Sequence, residues 1–208
     1  MAYPTVDAPY GLVPVNRVDG MPYAGAIRQI PIASTVATTI FDGDIVAIVA
    51  GGTVAKSTVT VNSTAAAANY TAGVFMGCQY VNTQGQTVQA QYYPGNASAS
   101  SAVAYVVDDP LALFKVAVTG SGSNAITTVN LSAVGTNMSI RQGTGSTTTG
   151  NSQVSVYATN SAGSSAVLPV RVIAVVPETA TGANAFTEVY VKINNHQYNN
   201  ATALDYTA

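Results

Sequence analysis

Charged side chains are scarce in this sequence, and their scarcity limits the partners that it can bind. Only 8% of the 208 residues are Asp, Glu, Lys or Arg, against roughly a quarter in an ordinary soluble protein. Seven basic and nine acidic residues leave a formal net charge of -2. Because binding to a phosphate backbone requires clustered positive charge, we expect no nucleic-acid partner.

Cysteine and long apolar runs are also nearly missing. Cys78 is the single cysteine, so an intrachain disulfide and a thiolate metal cluster within one chain are both excluded. No stretch approaches the roughly 18 consecutive apolar residues of a membrane-spanning helix, so we expect no membrane partner. The N-terminus lacks the basic start and continuous apolar stretch of a secretory signal, and we expect no export by that route.

The residues that are abundant favour strands and turns. Trp is absent, Lys and Glu are rare, and much of the 48% hydrophobic content is Ala and Val among Thr, Ser, Asn and Gly. Eight runs bounded by turn residues read as strands: Ile45–Val49, Thr53–Val61, Gly73–Val81, Thr87–Tyr93, Ser101–Val107, Leu113–Val118, Ala166–Val176 and Glu188–Asn194. The sequence therefore predicts an all-β fold, either a barrel or a sandwich-like domain.

Side-chain alternation indicates which faces of these strands are buried. In Leu113–Val118, Phe114, Val116 and Val118 point one way and Lys115 the other. In Glu188–Asn194, the apolar residues Val189, Val191 and Ile193 oppose Glu188, Tyr190 and Lys192. The run Ala166–Val176 is apolar on both faces apart from Arg171, as in a central strand with Pro169 at its start or on a bulge. Short helices are predicted only at Ser63–Ala68 and Asp109–Phe114.

The first 25 residues predict an extended N-terminal arm, followed by a β-rich domain over residues 26–208. Four prolines and three glycines in this segment exclude a helix. Aromatic and apolar side chains on an extension are suited to a pocket of another chain, so the arm supplies the candidate partner-interface residues: Tyr3, Tyr10, Val13, Val15 and Tyr23. The alternative is that the arm packs across its own domain.

A second irregular region is predicted at about residues 120–163. It is dense in Gly, Ser, Thr and Asn, and it fits a loop-rich insertion or a set of weak edge strands. The stretch Gly143–Gly150 lacks the Gly-Lys-Ser/Thr ending of a phosphate-binding loop, so we interpret it as a flexible loop.

Catalysis requires a convergent set of titratable groups, and none stands out here. His196 is interpreted as a polar residue in a C-terminal turn, and Cys78 as a small buried hydrophobe. The carboxylates of Asp42 and Asp44, and of Asp108 and Asp109, are close in sequence but lack the ligand spacing of a calcium loop. We therefore expect a protein that is not an enzyme and that has no cofactor and no metal site.

Segments spread over most of the chain resemble virion proteins of tailed bacteriophages, especially short-tailed marine and cyanobacterial phages. The matching pieces are GLVPV at Gly11–Val15, YAGAIRQIPIA at Tyr23–Ala33, IFDGDIV at Ile40–Val46, GVFMGCQYVN at Gly73–Asn82, QYYPGN at Gln91–Asn96, AYVVDDP at Ala104–Pro110, GSTTTGNS at Gly145–Ser152 and NNHQY at Asn194–Tyr198. These motifs are strands and turns rather than an active-site signature.

The resemblance implies a head decoration, or cement, protein. Such a protein would be made in the host cytoplasm, bind the outer surface of the capsid and bridge neighbouring subunits of the major capsid protein. It also implies self-association, with a homotrimer expected and a dimer as the alternative. The sequence also leaves open a different role, a head-fibre or tail-associated module that binds host-surface glycans through its tyrosines. An enzyme that degrades surface polymers is disfavoured, because no carboxylate pair or nucleophile–base pair stands out.

Overall fold

The structure is a computed structural model that describes residues 9–58, 71–120, 126–158, 168–179 and 186–199. It confirms the all-β fold: the described residues form twelve strands and two short 3-10 helices. The strands are β1 Val13–Arg17, β2 Arg28–Pro31, β3 Ile45–Val49, β4 Thr53–Lys56, β5 Gly73–Asn82, β6 Thr87–Ala90, β7 Ala99–Val107, β8 Ala112–Thr119, β9 Asn137–Arg141, β10 Ser155–Tyr157, β11 Val170–Val175 and β12 Glu188–Ile193. Within these residues no helix is long and apolar enough to cross a membrane.

Five of the strands close into a barrel. Strand β8 pairs with β12 on one edge, while its other edge pairs first with β1 and then with β10. From β10 the ladder continues through β9 and β11 and returns to β12. Closure leaves the barrel strands without free edges, and β1 lies outside the ring against β8.

The alternation predicted for β8 and β12 is largely confirmed. Phe114, Val116 and Val118 are buried in β8, and Val189, Val191 and Ile193 are buried in β12. The one exception is Glu188, which is only 6% exposed although it was predicted to face outward. Its carboxylate lies 3.2 Å from Lys115 Nζ, and this ion pair compensates for its burial.

A second sheet has the order β2-β7-β5-β3-β4, with β6 paired to β5. An isolated parallel bridge between Ile32 and Val54 joins its two outer edges. One face of this sheet forms a separate apolar cluster that includes Phe75 and Val106. Ile45, Val74 and Val107 instead belong to the core of the barrel, so the two sheets share apolar contacts.

The segment predicted to be an arm is part of the domain from residue 9 onward. Leu12 is 1% exposed and belongs to the barrel core. Val13–Arg17 pairs antiparallel with β8. For residues 9–25, the structure thus has the alternative arrangement, in which the segment packs across its own domain; residues 1–8 lie outside the described residues.

The loop-rich region and the predicted helices also differ from expectation. Strands β9 and β10 both lie inside the barrel ladder rather than at an edge. The helix predicted at Asp109–Phe114 is wrong: Ala112 N–H donates to the Asp109 carbonyl in a turn at 3.0 Å, and β8 begins there. Ser63–Ala68 lies outside the described residues.

The turn Asp42-Gly43-Asp44 joins the separate parts of the fold. Gly43 accepts a hydrogen bond from Leu12 N–H at 3.0 Å and donates its own N–H to the Phe75 carbonyl at 2.8 Å. Ser152 N–H donates to the Asp42 carbonyl at 2.8 Å. Consequently the N-terminal segment, the second sheet and the loop before β10 all meet at this turn.

Candidate interaction surface

Exposed large apolar side chains concentrate near the N-terminus. Ten such residues occur in the described part of the chain, and five of them fall between positions 13 and 27. We call these five the N-terminal apolar surface: Val13, Val15, Val18, Met21 and Ile27. Single exposed hydrophobes need no explanation, but five of them within fifteen consecutive residues make this segment the candidate interaction site.

Strand β1 and the turn that follows it position Val13, Val15, Val18 and Met21, whereas Ile27 directly precedes β2. After β1 the chain reverses, with Arg17 N–H donating to the Met21 carbonyl at 3.2 Å and Asn16 bridging Pro22. Met21 is thereby brought back beside the end of β1. Val18 N–H donates to the Leu111 carbonyl at 2.9 Å, which anchors the turn to the barrel.

The free edge of β1 is poorly suited to pairing with a strand of another chain. Pro14 has no N–H to donate, and the register with β8 shifts between Pro14 and Asn16, which leaves Val15 as a bulged residue. Proline and bulges are common means of blunting an edge strand. A partner would therefore contact the side chains of this segment rather than extend its sheet.

Of the five candidate interface residues, Val13 and Val15 lie in the exposed surface. Their exposed fractions are 40% and 43%. Tyr10 does not belong to it, because its hydroxyl donates to the Glu188 carboxylate and its ring lies beneath Lys115 Nζ. Burial, reinforced by the hydrogen bond to Glu188, raises the pKa of Tyr10 well above its ordinary value. Tyr10 therefore holds the segment to its own barrel.

Tyr23 also contacts its own chain. It is partly buried against the barrel core, and its hydroxyl donates to the Ala26 carbonyl at 3.0 Å. Tyr3 lies outside the described residues. Val18, Met21 and Ile27 were not identified from the sequence, because no local pattern indicates which side chains of residues 18–27 are exposed.

Charges beside the apolar surface are neutralised within the chain. Arg17 lies 3.0 Å from Asp19 and 3.2 Å from Asp109. The next ion pair along β8 joins Lys115 and Glu188. A surface flanked by internally paired charges has little net field, so binding there would rest on apolar contact and shape.

The described residues contain no group of three or more His, Cys, Asp or Glu side chains that could hold a metal ion. The carboxylates that were paired in the sequence have local roles instead. Asp44 binds Lys56 at 2.8 Å, and Asp108 binds Arg28 at 2.7 Å. Asp109 accepts the Leu111 N–H at 2.8 Å in the turn before β8.

The Gly-rich stretch is packed, which corrects its interpretation as a flexible loop. Gly150 N–H donates to the Ser146 carbonyl at 2.7 Å, and its own carbonyl accepts Asp42 N–H at 3.0 Å. At Gly145 an added Cβ would lie 2.3 Å from the Phe41 ring. Glycine is therefore required there by close packing rather than by mobility.

Tyr92 and Tyr93, which follow β6, serve packing as well. Tyr93 is 1% exposed, and its hydroxyl donates to the Val36 carbonyl at 3.2 Å. Tyr92 stacks on Phe41 with 5.7 Å between ring centroids. Stacking and burial on this chain leave these two rings poorly placed to bind a sugar.

Cys78 is confirmed as a buried residue, although on a different face from the predicted one. A register shift between Phe75 and Cys78, where Gly77 has φ +123°, puts Cys78 in the same cluster as Phe75 and opposite Val74. Burial raises the pKa of its thiol to about 12.

We therefore expect Cys78 to react with a thiol reagent at least 100-fold more slowly in the native protein than in denaturant, because the thiolate is the reactive form. Absorbance from an aromatic disulfide reagent at pH 8 measures both rates. Comparable rates with and without denaturant would contradict the burial of this thiol. With one cysteine in the chain, the signal needs no assignment.

Comparison of the chain with protein-family models, with curated proteins and with solved structures gave no match.

Proposed function

We propose that this chain is a non-enzymatic decoration protein of a bacteriophage head. It binds the outside of the capsid, bridges neighbouring subunits of the major capsid protein and thereby stabilises the shell. The proposal combines the sequence resemblance to virion proteins with one structural observation, the N-terminal apolar surface. In this role the barrel and the second sheet form a rigid body that presents that surface.

The N-terminal apolar surface carries the proposal because it supplies side chains that gain by leaving water. Val13, Val15 and Met21 are 40%, 43% and 58% exposed, and burying apolar area releases about 25 cal/mol per Å². Strand β1, which carries Val13 and Val15, is held by pairing with β8, and Met21 is held by the bond from Arg17 N–H to its carbonyl. Little conformational entropy is therefore lost on docking. A preformed apolar surface of this kind fits a protein partner.

Weak individual contacts are sufficient for a cement role. A capsid presents many equivalent sites, and a protein that touches two subunits at once gains effective concentration without any new type of contact. Self-association would add to this effect, and we propose a trimer, with a dimer as the alternative.

Replacing Val13 and Val15 together by Ser should weaken decoration of purified undecorated heads by roughly 10-fold or more, because about four methyl groups would no longer be buried. The measurement is the amount of protein that sediments with heads over a concentration series. Raising NaCl from 0.1 to 1 M should change wild-type binding little, since no net charge is engaged.

The matched control is Leu131→Ser, at a side chain that is 74% exposed on a 3-10 helix of a different part of the fold. This variant should bind like the wild type. Undiminished decoration by the double variant, with both proteins folded, would remove the role assigned to the N-terminal apolar surface.

Copy number in purified virions separates this proposal from a fibre or tail adhesin. A cement protein should be present at a stoichiometry close to that of the major capsid protein, which quantitative mass spectrometry of whole particles measures. A handful of copies per particle would contradict the cement role and favour the adhesin.

A further inference from the structure

The last described residues, 194–199, clasp the barrel to the second sheet, and we call them the C-terminal clasp. Thr71, next to β5, donates its N–H to the Asn195 carbonyl and accepts Gln197 N–H, both at 2.9 Å. The Gln197 side-chain amide makes two more bonds to Ile48 of β3, accepting its N–H at 2.7 Å and donating to its carbonyl at 2.9 Å. The clasp therefore extends β12 of the barrel onto the second sheet.

An aromatic and ionic contact completes the clasp. Arg28, at the start of β2, lies 5.0 Å from the centre of the Tyr198 ring and donates to the Tyr198 hydroxyl at 3.1 Å. The same guanidinium pairs with Asp108 at 2.7 Å. Three segments from different parts of the chain thus meet at Arg28.

The imidazole of His196 lies buried at the centre of the clasp. Its exposed fraction is 1%, and its Nδ1 accepts Tyr198 N–H at 3.2 Å. No partner reaches its buried Nε2 with normal hydrogen-bond geometry. An unsatisfied ring nitrogen between two sheets is costly, and its cost increases sharply if the ring gains a charge.

The charges around His196 do not offset its burial. The carboxylate of Asp109 and the nearby backbone of Ala72 favour the protonated ring, whereas Lys192 on β12 opposes it. Burial exceeds these effects and lowers the pKa of His196 from its ordinary 6.5 to about 4. The neutral ring is therefore the form that fits the closed clasp.

We propose that the C-terminal clasp is an acid-sensitive lock, in which protonation of His196 releases residues 194–199 from the second sheet. In the neutral ring, Nδ1 accepts the hydrogen bond from Tyr198 N–H. When Nδ1 takes up a proton it becomes a donor, so this hydrogen bond is lost and the two N–H groups repel each other. In the closed clasp, only the Asp109 carboxylate and the Ala72 backbone favour the resulting cation, and together they do not offset its burial. Moving the segment into water hydrates the imidazolium and breaks the contacts through Thr71, Ile48 and Arg28.

The direction of the pH effect follows from the two protonation states. An open clasp exposes an ordinary histidine, which binds a proton below pH 6.5, while the closed clasp resists protonation down to about pH 4. Acid therefore favours opening progressively between these two values. From pH 7 to pH 4.5 the opening equilibrium should rise roughly 50-fold.

Hydrogen exchange measured by mass spectrometry tests the lock on the full chain. The readout is protection of the amides of Ile48, Thr71, Gln197 and Tyr198, corrected for the intrinsic pH dependence of exchange. We expect their protection to fall roughly 50-fold between pH 7 and pH 4.5, while protection in β8 changes much less. Equal protection of the clasp at both pH values would overturn the proposal.

Two variants identify the titrating group. His196→Asn keeps an acceptor for Tyr198 N–H but cannot gain a proton, so its clasp protection should not depend on pH. Asp108 is the other candidate for an acid response, because burial raises the pKa of its carboxyl group, which pairs with Arg28. The variant Asp108→Asn removes that carboxyl group, and its clasp protection should still fall in acid. If clasp protection depended on pH in His196→Asn but not in Asp108→Asn, the acid response would belong to Asp108 and the role proposed for His196 would be refuted.

A wild-type measurement covers the case in which His196→Asn does not fold. The chain has one histidine, so its imidazole C–H resonance titrates without ambiguity in an NMR spectrum. Titration near pH 4, together with loss of clasp protection, supports the lock. Titration near 6.5 with the clasp still protected overturns it. These results are independent of any role in a virion.

Discussion

Replacing Asp44 by Ala should lower the free energy of unfolding by about 3–5 kcal/mol, the range found when one partner of a buried ion pair is removed. The Asp44 side chain is fully buried and lies 2.8 Å from Lys56 Nζ, whose side chain is only 16% exposed. Without the carboxylate, the ammonium group of Lys56 would be left nearly buried and unpaired. The expected result is a large fall in the denaturant midpoint.

Asp44 also satisfies neutral groups. Its Oδ1 accepts the Ser152 hydroxyl at 2.6 Å and its Oδ2 accepts Phe41 N–H at 2.9 Å. These donors belong to the loop before β10 and to the segment before the Asp42-Gly43-Asp44 turn. Truncation would leave both of them without an acceptor inside the protein, which adds to the loss.

Chemical denaturation followed by tyrosine fluorescence and circular dichroism measures the effect. Asp19→Ala is the matched control, since its ion pair with Arg17 at 3.0 Å has side chains that are 37% and 31% exposed, and such pairs contribute about 0–1 kcal/mol. The double variant Asp44→Leu with Lys56→Met should be less destabilised than Asp44→Ala, because no unpaired charge stays buried. Equal small losses for Asp44→Ala and Asp19→Ala would contradict the structure at this turn.

Replacing Gly11 by Ala should destabilise the fold by about 3 kcal/mol or more, from backbone strain together with overpacking. Gly11 has φ +89°, and a Cβ there would lie 2.8 Å from Gly43 Cα and 2.9 Å from Ser152 Cβ. The facing Gly43 has φ +87° and an equally close approach to Gly11. Two backbone segments meet here without room for a methyl group.

Gly20→Ala separates strain from contact. Gly20 has a similar φ of +81°, but nothing lies within 4 Å of the position of its Cβ. This variant should therefore lose only about 1–2 kcal/mol, the strain of the left-handed conformation. Thermal unfolding of both variants by calorimetry gives the comparison.

The Gly11 result also reports on the N-terminal segment as a whole. If Gly11→Ala were no more destabilising than Gly20→Ala, the close docking of residues 9–12 against the Asp42-Gly43-Asp44 turn would be refuted. The segment would then behave as the free arm that the sequence predicts.

Local patterns account for the strands that were predicted correctly. Ile45–Val49 has the predicted bounds. Strand β8 is one residue longer than predicted at each end, and β12 ends one residue earlier than predicted. In each case a short apolar run lies between turn residues, so the apolar positions in the sequence are the positions that the fold buries. Pro169 directly precedes β11, at the start of the strand as predicted. Proline has no N–H to donate to the hydrogen bonds of a sheet and therefore rarely lies inside a central strand.

The errors arise where a distant contact changes a local preference. The bulge at Gly77 reverses the face of Cys78 relative to Val74, since one extra residue moves every later side chain to the other side of a strand. Strands β9 and β10 have weak apolar patterns and form because the barrel closes through them. The spacing of apolar residues in the sequence indicates neither the bulge nor the closure of the barrel.

Only part of the candidate surface is predictable from the sequence, because distant contacts also decide which residues near the N-terminus are exposed. Val13 and Val15 were identified from their place in a proline-rich segment, and they are exposed. Tyr10 was expected to contact another chain, but its hydroxyl binds Glu188, which lies 178 residues away in the sequence. No pattern within the first 25 residues indicates that partner.

By itself the sequence determined the all-β class, the scarcity of charge and the positions of most strands, because composition and two-residue alternation act locally. Only the tertiary structure decided that the N-terminal segment from residue 9 joins the barrel, that Asp44 is a buried junction and that His196 lies between two sheets. These features depend on contacts between residues far apart in the chain. Loop closure and packing set such contacts, and neither is encoded in any short stretch.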